Sequence, residues 1–215
     1  MNLWHDIHPS RMQLEDFMAV IEIEKGSKNK YEMDKETGAL RLDRILYTST
    51  HYPANYGFIP RTYADDNDPL DVLVLCSEPI RPMSLVRVYP IGYFAMRDSG
   101  AMDEKILAIP FGDPVNNGYH NVNELPAHVA EEISHFFNVY KNLEKDKSTE
   151  IVGVFGRDEA IEVLKMCIRD RRVSDRSRAA GCGLDSENRR SGRRARVSDE
   201  DGTAAGGRIQ AESCR

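Results

Sequence analysis

Four carboxylates stand within seven residues at Asp65-Asp66-Asn67-Asp68-Pro69-Leu70-Asp71, directly before the apolar run Val72-Leu73-Val74-Leu75. A lone Asp-Asn-Asp-Pro stretch is an Asx-rich turn. Asp71, however, abuts a run expected to be buried, where an unpaired carboxylate is costly unless a cation or hydrogen bonds satisfy it. The spacing excludes an EF-hand loop. Counted from Asp66, the sixth position is Asp71 in place of Gly and the twelfth is Ser77 in place of Glu. A second acidic group follows at Asp98 and Asp103-Glu104-Lys105. Alone it is a charged hairpin loop. Asp103 and Lys105 lie two apart on entering Ile106-Leu107-Ala108-Ile109, so they share one strand face. Together the two groups could complete a multi-carboxylate Mg2+ site. Several close divalent cations are what phosphoryl chemistry uses to neutralise phosphate oxygens and to ionise water at neutral pH.

Cations accompany the carboxylates. Lys30 and Glu32 share a strand face across Tyr31, and Arg44 shares one with Leu40 and Leu42, so Arg44 is expected to point inward with core side chains. Glu22 interrupts the apolar strand Val20-Ile21-Glu22-Ile23. A solvated outer face accounts for any one of these; all four together point to an anion pocket bridged by metals. Other motifs fall away. Glu132-x-x-His135 is half of a di-iron helix motif with no second copy, and His5-x-x-His8 is a surface pair. No G-x-x-x-x-G-K-[ST] loop, G-x-S-x-G elbow or H-E-x-x-H is present.

The elements that must position these residues are mostly strands. Phe17 to Glu24 is one, and Lys30 to Asp34 pairs with Ala39 to Ile45 across a turn containing Gly38. Further strands are expected at Asp71–Cys76, Ser84–Phe94, Lys105–Pro110 and Glu150–Phe155. A helix is predicted from about Pro126 to Leu143, because Val129, Ile133, Phe136, Tyr140 and Leu143 recur at steps of four and three. Short strands separated by turn signals, with one or two helices, predict a small barrel of mainly β (α+β) class.

The 215 residues suit one domain with a sizeable core. No run of eighteen apolar residues predicts a membrane span, and Met1 to Asp16 lacks the apolar segment of a signal peptide. Four cysteines without a CxxC pair indicate neither disulfides nor zinc, which fits a cytoplasmic protein. Residues 1–167 hold 17 Lys+Arg against 27 Asp+Glu, a balance of −10. That acidity argues against a nucleic-acid partner, which requires a basic face. Residues 168–215 reverse the sign, with 12 Arg, no Lys and no aromatic residue. This tail is expected to be disordered, since it has too little apolar area to offset its ordering entropy. The abrupt change near Met166 reads as a non-native or out-of-frame end. The domain is therefore placed at 1–167.

In order and spacing the motifs closely resemble the family I soluble inorganic pyrophosphatases of bacterial type, over roughly Leu14 to Leu164. The match runs through Val20-Ile21-Glu22-Ile23, Lys30-Tyr31-Glu32-Met33-Asp34, Gly38-Ala39-Leu40-Arg41-Leu42-Asp43-Arg44 and Tyr52-Pro53-Ala54-Asn55-Tyr56-Gly57-Phe58-Ile59-Pro60. Its most specific element is Asp66-Asn67-Asp68-Pro69-Leu70-Asp71, a D-x-D-P-x-D pattern, followed by Asp98, Asp103-Glu104-Lys105 and His135 to Lys141. The resemblance implies an OB-like five-stranded barrel with outer helices, hydrolysis of pyrophosphate to two phosphates, and a hexamer built from trimers. It implies that Asp66, Asp71 and Asp103 ligate the tighter Mg2+ ions and that Asp98 holds one arriving with substrate. Glu22 and Glu32 would act through metal-bound water, with Mn2+ a substitute metal. Lys30, Arg44, Tyr140 and Lys141 would hold the phosphates, with Lys105 and Tyr56 in support. Asp68 would take the proton from a water bridging two metals. The rival readings are a nucleic-acid-binding OB-like barrel without catalysis and a phosphatase acting on organic phosphoesters.

Overall fold

Strand formation follows the apolar runs of the sequence. The computed structural model describes residues 2–64 and 68–168. In chain order the strands are β1 (Met12–Gln13), β2 (Asp16–Ile23), β3 (Asn29–Met33), β4 (Leu40–Ile45), β5 (Asn55–Phe58), β6 (Asp71–Val74), β7 (Leu85–Asp98), β8 (Ala101–Pro110) and β9 (Thr149–Gly156). Helix α1 spans Ala127–Val139 between β8 and β9, and α2 covers residues 157–168. Apart from residue 168, the expected Arg-rich tail at 168–215 lies outside the described residues. No described helix is long and apolar enough to cross a membrane.

Five strands close a ring in the order β2-β5-β6-β8-β7, with β7 pairing back onto β2. This is the OB-like barrel that the motif order implies. Among the strand pairs of the described residues, only β6 and β8 run parallel. Strand β7 can serve the whole ring because it is long and broken in register between Pro90 and Gly92. Its first half pairs with β2 and its second half with β9. A proline is tolerated in so central a strand at just such an irregularity. Gly57 makes the closure between β2 and β5 possible, since a β-carbon there would run into the Val20 carbonyl.

Period-two alternation divides the apolar residues of β6 and β8 between two cores, and a third, smaller cluster holds Trp4, Val20, Met33 and Phe58. Leu73 and Leu107 pack with Ile133, Phe136 and Phe137 of α1, while Val72, Val74, Ile106 and Ala108 pack with Ala160, Val163 and Leu164 of α2. Residues of α1 and α2 thus complete different cores.

Three local expectations are corrected. The charged segment between Asp98 and Lys105 is not a loop. Strands β7 and β8 run on to Asp98 and from Ala101, joined by Ser99-Gly100 with both φ values positive, the geometry of a tight hairpin turn. Helix α1 stops at Val139, and Tyr140 to Asn142 continue as turns, leaving Leu143 67% exposed. Strands β3 and β4 form a separate two-stranded sheet whose Leu42 is half-exposed, so the face that Arg44 shares is not the core.

Candidate active site

Three neighbouring strands build the centre of the site. The parallel register sets Asp71 of β6 opposite Lys105 of β8, and Asp71 also faces Phe58 of β5, two residues beyond Tyr56. Lys105 and Asp103 share a face of β8, as their spacing requires. The Lys105 Nζ therefore lies 2.6 Å from Asp71 Oδ2, 3.0 Å from Asp103 Oδ1 and 3.2 Å from the Tyr56 hydroxyl, which itself donates to Asp71. The rings of Tyr56 and Phe137 flank the ammonium at 5.4 and 5.5 Å. Burial alone would lower the lysine's pKa, but the Asp71 and Asp103 carboxylates outweigh it and hold it well above its ordinary value. Lys105 is a fixed buried cation.

Glu22 reaches the same space by a bulge. Pairing of β2 with β5 slips between Ile21 and Ile23, which re-aims the intervening side chain. Its Oε1 accepts from the Met33 N–H at 2.6 Å. Burial is the main cause that raises its carboxyl to about 8; the Met33 hydrogen bond opposes this, while the Asp71 and Glu32 charges add to it.

Around this centre lies a cavity of about 510 Å3. It brings together the predicted Glu22, Lys30, Glu32, Tyr56, Asp68, Asp71, Asp98, Asp103, Lys105, Tyr140 and Lys141. Lys141, in the turn after α1, pairs with Asp98 at the end of β7. Lys30 on β3 pairs with Glu32 and, at 3.4 Å, with Asp43. Tyr140 is buried, and burial pushes its phenol pKa up. Two predicted residues are not among these. Asp66 lies outside the described residues. Arg44 does not line the cavity: its Nε donates to Glu144 Oε1 at 2.8 Å, and its Nη1 donates to Asp43. Asp43 links it to Lys30, one side chain from the cavity.

Other lining residues escaped the sequence reading. Lys35, Arg41, Asp34 and Glu36 come from the β3–β4 hairpin and Trp4 from the N-terminal segment. Asp34 and Arg41 lie inside the two quoted motifs, and Lys35 and Glu36 directly follow the first, so all four were within reach of the pattern; Trp4, an isolated aromatic, carried no signal.

Among the described residues the lining holds eight Asp or Glu side chains, Glu22, Glu32, Asp34, Glu36, Asp68, Asp71, Asp98 and Asp103, against five Lys or Arg cations. Such an excess of hard oxygen donors suits divalent cations of the magnesium type. Among the described residues no three His, Cys, Asp or Glu side chains form a ready cation cage. Lysines instead engage Asp71, Asp98, Asp103 and Asp68. A site with this donor set and these ammonium groups can neutralise and position a polyanion.

Comparison with known proteins gives the same direction throughout. The family model described as inorganic pyrophosphatase matches residues 19–172. The inorganic pyrophosphatase of Aquifex pyrophilus is 44% identical over 169 residues, covering 78% of this chain and 96% of the relative. Soluble inorganic pyrophosphatase 2 of Chlamydomonas reinhardtii is 46% identical over 162 residues, covering 75% and 84%. Among solved structures, the inorganic pyrophosphatase of Thermus thermophilus superposes with a TM-score of 0.74 at 38% identity, covering 80% of this chain and 99% of that one. The Helicobacter pylori inorganic pyrophosphatase gives 0.73 at 40%, covering 75% and 96%.

Proposed function

The chain belongs to the inorganic pyrophosphatase family, and from that premise and the cavity's geometry we propose that it hydrolyses inorganic pyrophosphate to two phosphates. The carrying observation is the convergence of Asp71, Asp103, Lys105 and Tyr56 on adjacent strands, beside Asp68, Lys30 and Lys141 in one cavity.

The enzyme is metal-dependent, as its family is, and the metal is Mg2+, with Mn2+ a substitute. Asp71 and Asp103 would hold the tighter ions together with Asp66. Asp98 would hold one that arrives with substrate, and Glu22 and Glu32 would contribute through coordinated water. When bound, these cations neutralise phosphate oxygens and lower the pKa of water. The protein's own groups supply the rest. Lys105 stays protonated and fixes Asp71 and Asp103 in register. Tyr56 donates to Asp71 and limits its rotation. Lys30, Tyr140 and Lys141 orient the two phosphoryl groups, and Arg44 joins them by exchanging Asp43 and Glu144 for phosphate. Asp68 accepts the proton of the attacking water as its oxygen bonds to phosphorus. The bond from that phosphorus to the bridging oxygen breaks, and the second phosphate leaves with that oxygen. A cytoplasmic location and a hexamer built from trimers belong to the same proposal.

Phosphate release from pyrophosphate and from p-nitrophenyl phosphate, measured side by side, tests the reading. Rapid release from pyrophosphate alone is expected. Comparable turnover of the ester would favour a phosphomonoesterase instead.

A further inference from the structure

We propose that Lys35, held on the face of Trp4, is a positioning residue that sets the direction of the Asp68 carboxylate. The inference rests on the reading of Asp68 as proton acceptor.

Lys35 follows β3 in a turn organised by Asp34, whose Oδ1 accepts from the N–H groups of Glu36 and Thr37 at 3.1 and 2.8 Å. Its backbone is thereby fixed, and its ammonium pairs with Asp68 across the cavity rim. Both side chains are about half-exposed, at 51% and 48%. A pair so placed contributes little to stability and ordinarily costs side-chain freedom to hold. Here part of that cost is offset, because the Lys35 Nζ lies 5.7 Å from the centroid of the Trp4 ring, within cation–π range.

Trp4 is itself immobilised. It is 7% exposed and packs with Val20, Met33 and Phe58. Its indole N–H donates to the Thr62 carbonyl at 2.9 Å, and its ring stacks on Tyr63 with the planes 9° apart. Thr62 in turn accepts from the Leu70 N–H at 2.8 Å, and the Asp68 carbonyl accepts from the Ala64 N–H at 2.8 Å. Both ends of the pair are therefore anchored to the same stretch of backbone, before β6. Trp4 precedes the region that the family model matches, 19–172, whereas Lys35 and Asp68 lie within it. A carboxylate that must meet a water proton gains from such pre-orientation, since misplacement by about 1 Å can cost up to roughly 100-fold in rate.

The test is a steady-state comparison of full-length wild type, Lys35→Met, Lys35→Arg, Trp4→Phe, Asp68→Asn and the double variant Lys35→Met/Asp68→Asn, with pyrophosphate as substrate. Lys35→Met should lower kcat about tenfold with KM nearly unchanged, less than the roughly 10²–10⁴-fold of Asp68→Asn. Lys35→Arg should recover much of the loss, and Trp4→Phe should lose less than Lys35→Met. In the Asp68→Asn background the Lys35 change should have no further effect, because a residue acting only through Asp68 is silent once that carboxylate is gone. Trp4 is the chain's single tryptophan and is 7% exposed, so emission in Lys35→Met that stays blue-shifted from that of the urea-unfolded protein reports an intact fold. Unchanged kcat in Lys35→Met beside a deep loss in Asp68→Asn would overturn the brace alone. A raised KM that persists in the double variant would overturn it in favour of direct phosphate contact. Full activity of Asp68→Asn would instead overturn the reading on which it rests.

Discussion

Asp68 and Asp71 are three residues apart, yet their surroundings assign them different work. Asp71 is locked between Lys105 and Tyr56 at the head of β6, whereas Asp68 stands on the rim against Lys35. Asp68→Asn keeps size and hydrogen-bonding reach but removes the base, and should lower kcat by roughly 10²–10⁴-fold. Its affinity for the first Mg2+ should barely move, as calorimetric titration would show. Equal loss of metal affinity in Asp68→Asn and Asp71→Asn would make Asp68 simply another ligand. Lys105 offers a stability test. It is 2% exposed while its partners Asp71 and Asp103 retain about a quarter of their side-chain exposure. Lys105→Met should lower unfolding free energy by about 2–3 kcal/mol in metal-free buffer, below the roughly 3–5 kcal/mol for breaking a fully buried pair. Urea denaturation measures this, and a loss under about 1 kcal/mol would mean that the two carboxylates do not depend on the ammonium.

At the scale of elements, the loop after β8 is tied to the end of the β6 segment through Asp113. Its carboxylate accepts from Ser77 N–H at 2.9 Å, Val115 N–H at 2.9 Å and Asn116 Nδ2 at 2.7 Å. Burial would raise its pKa, but these hydrogen bonds, led by Asn116, outweigh it and hold the group at about 2. The unfolded value is about 3.9. A depressed native pKa stabilises the fold above the unfolded value, and the contribution fades as pH falls from about 4 towards 2. Asp113→Ala should cost about 1–3 kcal/mol at neutral pH and flatten that acid limb of the melting profile. A limb as steep as wild type would refute the assignment. The sequence was most legible where periodicity is strong: β2, the β3–β4 pair, β6 and the start of α1 fall where alternation and the step of three and four put them. It was least legible where tertiary contact overrides the local pattern. The short strand β5 is set by its approach to Val20 through Gly57, and β7 and β8 extend into polar residues because they pair with each other. Leu143 continues the apolar stripe of α1, but the chain turns away after Val139. Most carboxylates and lysines that line the cavity were legible because few types of residue suit phosphoryl chemistry, whereas Tyr140 and Lys141 came only with the family resemblance. Lys35 and Trp4 act through other side chains, and their roles appear only in three dimensions.

For the molecule as a whole, the residues assigned to metal, phosphate or proton all fall between Glu22 and Lys141, and with the bracing Trp4 they lie within a segment 1–167 that carries a balance of −10. Removal of residues 169–215 should therefore leave kcat and KM for pyrophosphate nearly unchanged; a marked rise in KM would give that basic segment a part in substrate capture. The acidic body also bears on substrate. An acidic body gives a polyanion no long-range attraction, so cation binding and pyrophosphate hydrolysis should rise together. The most direct test is the rate of pyrophosphate hydrolysis after exhaustive chelation, followed through a Mg2+ titration of wild type and Asp71→Asn. No turnover is expected in chelator, full recovery is expected in wild type with Mg2+, and the Asp71→Asn curve should be displaced to higher Mg2+ with a lower plateau. Undiminished turnover in the chelated enzyme, or superimposable curves for the two proteins, would contradict the metal-dependent mechanism.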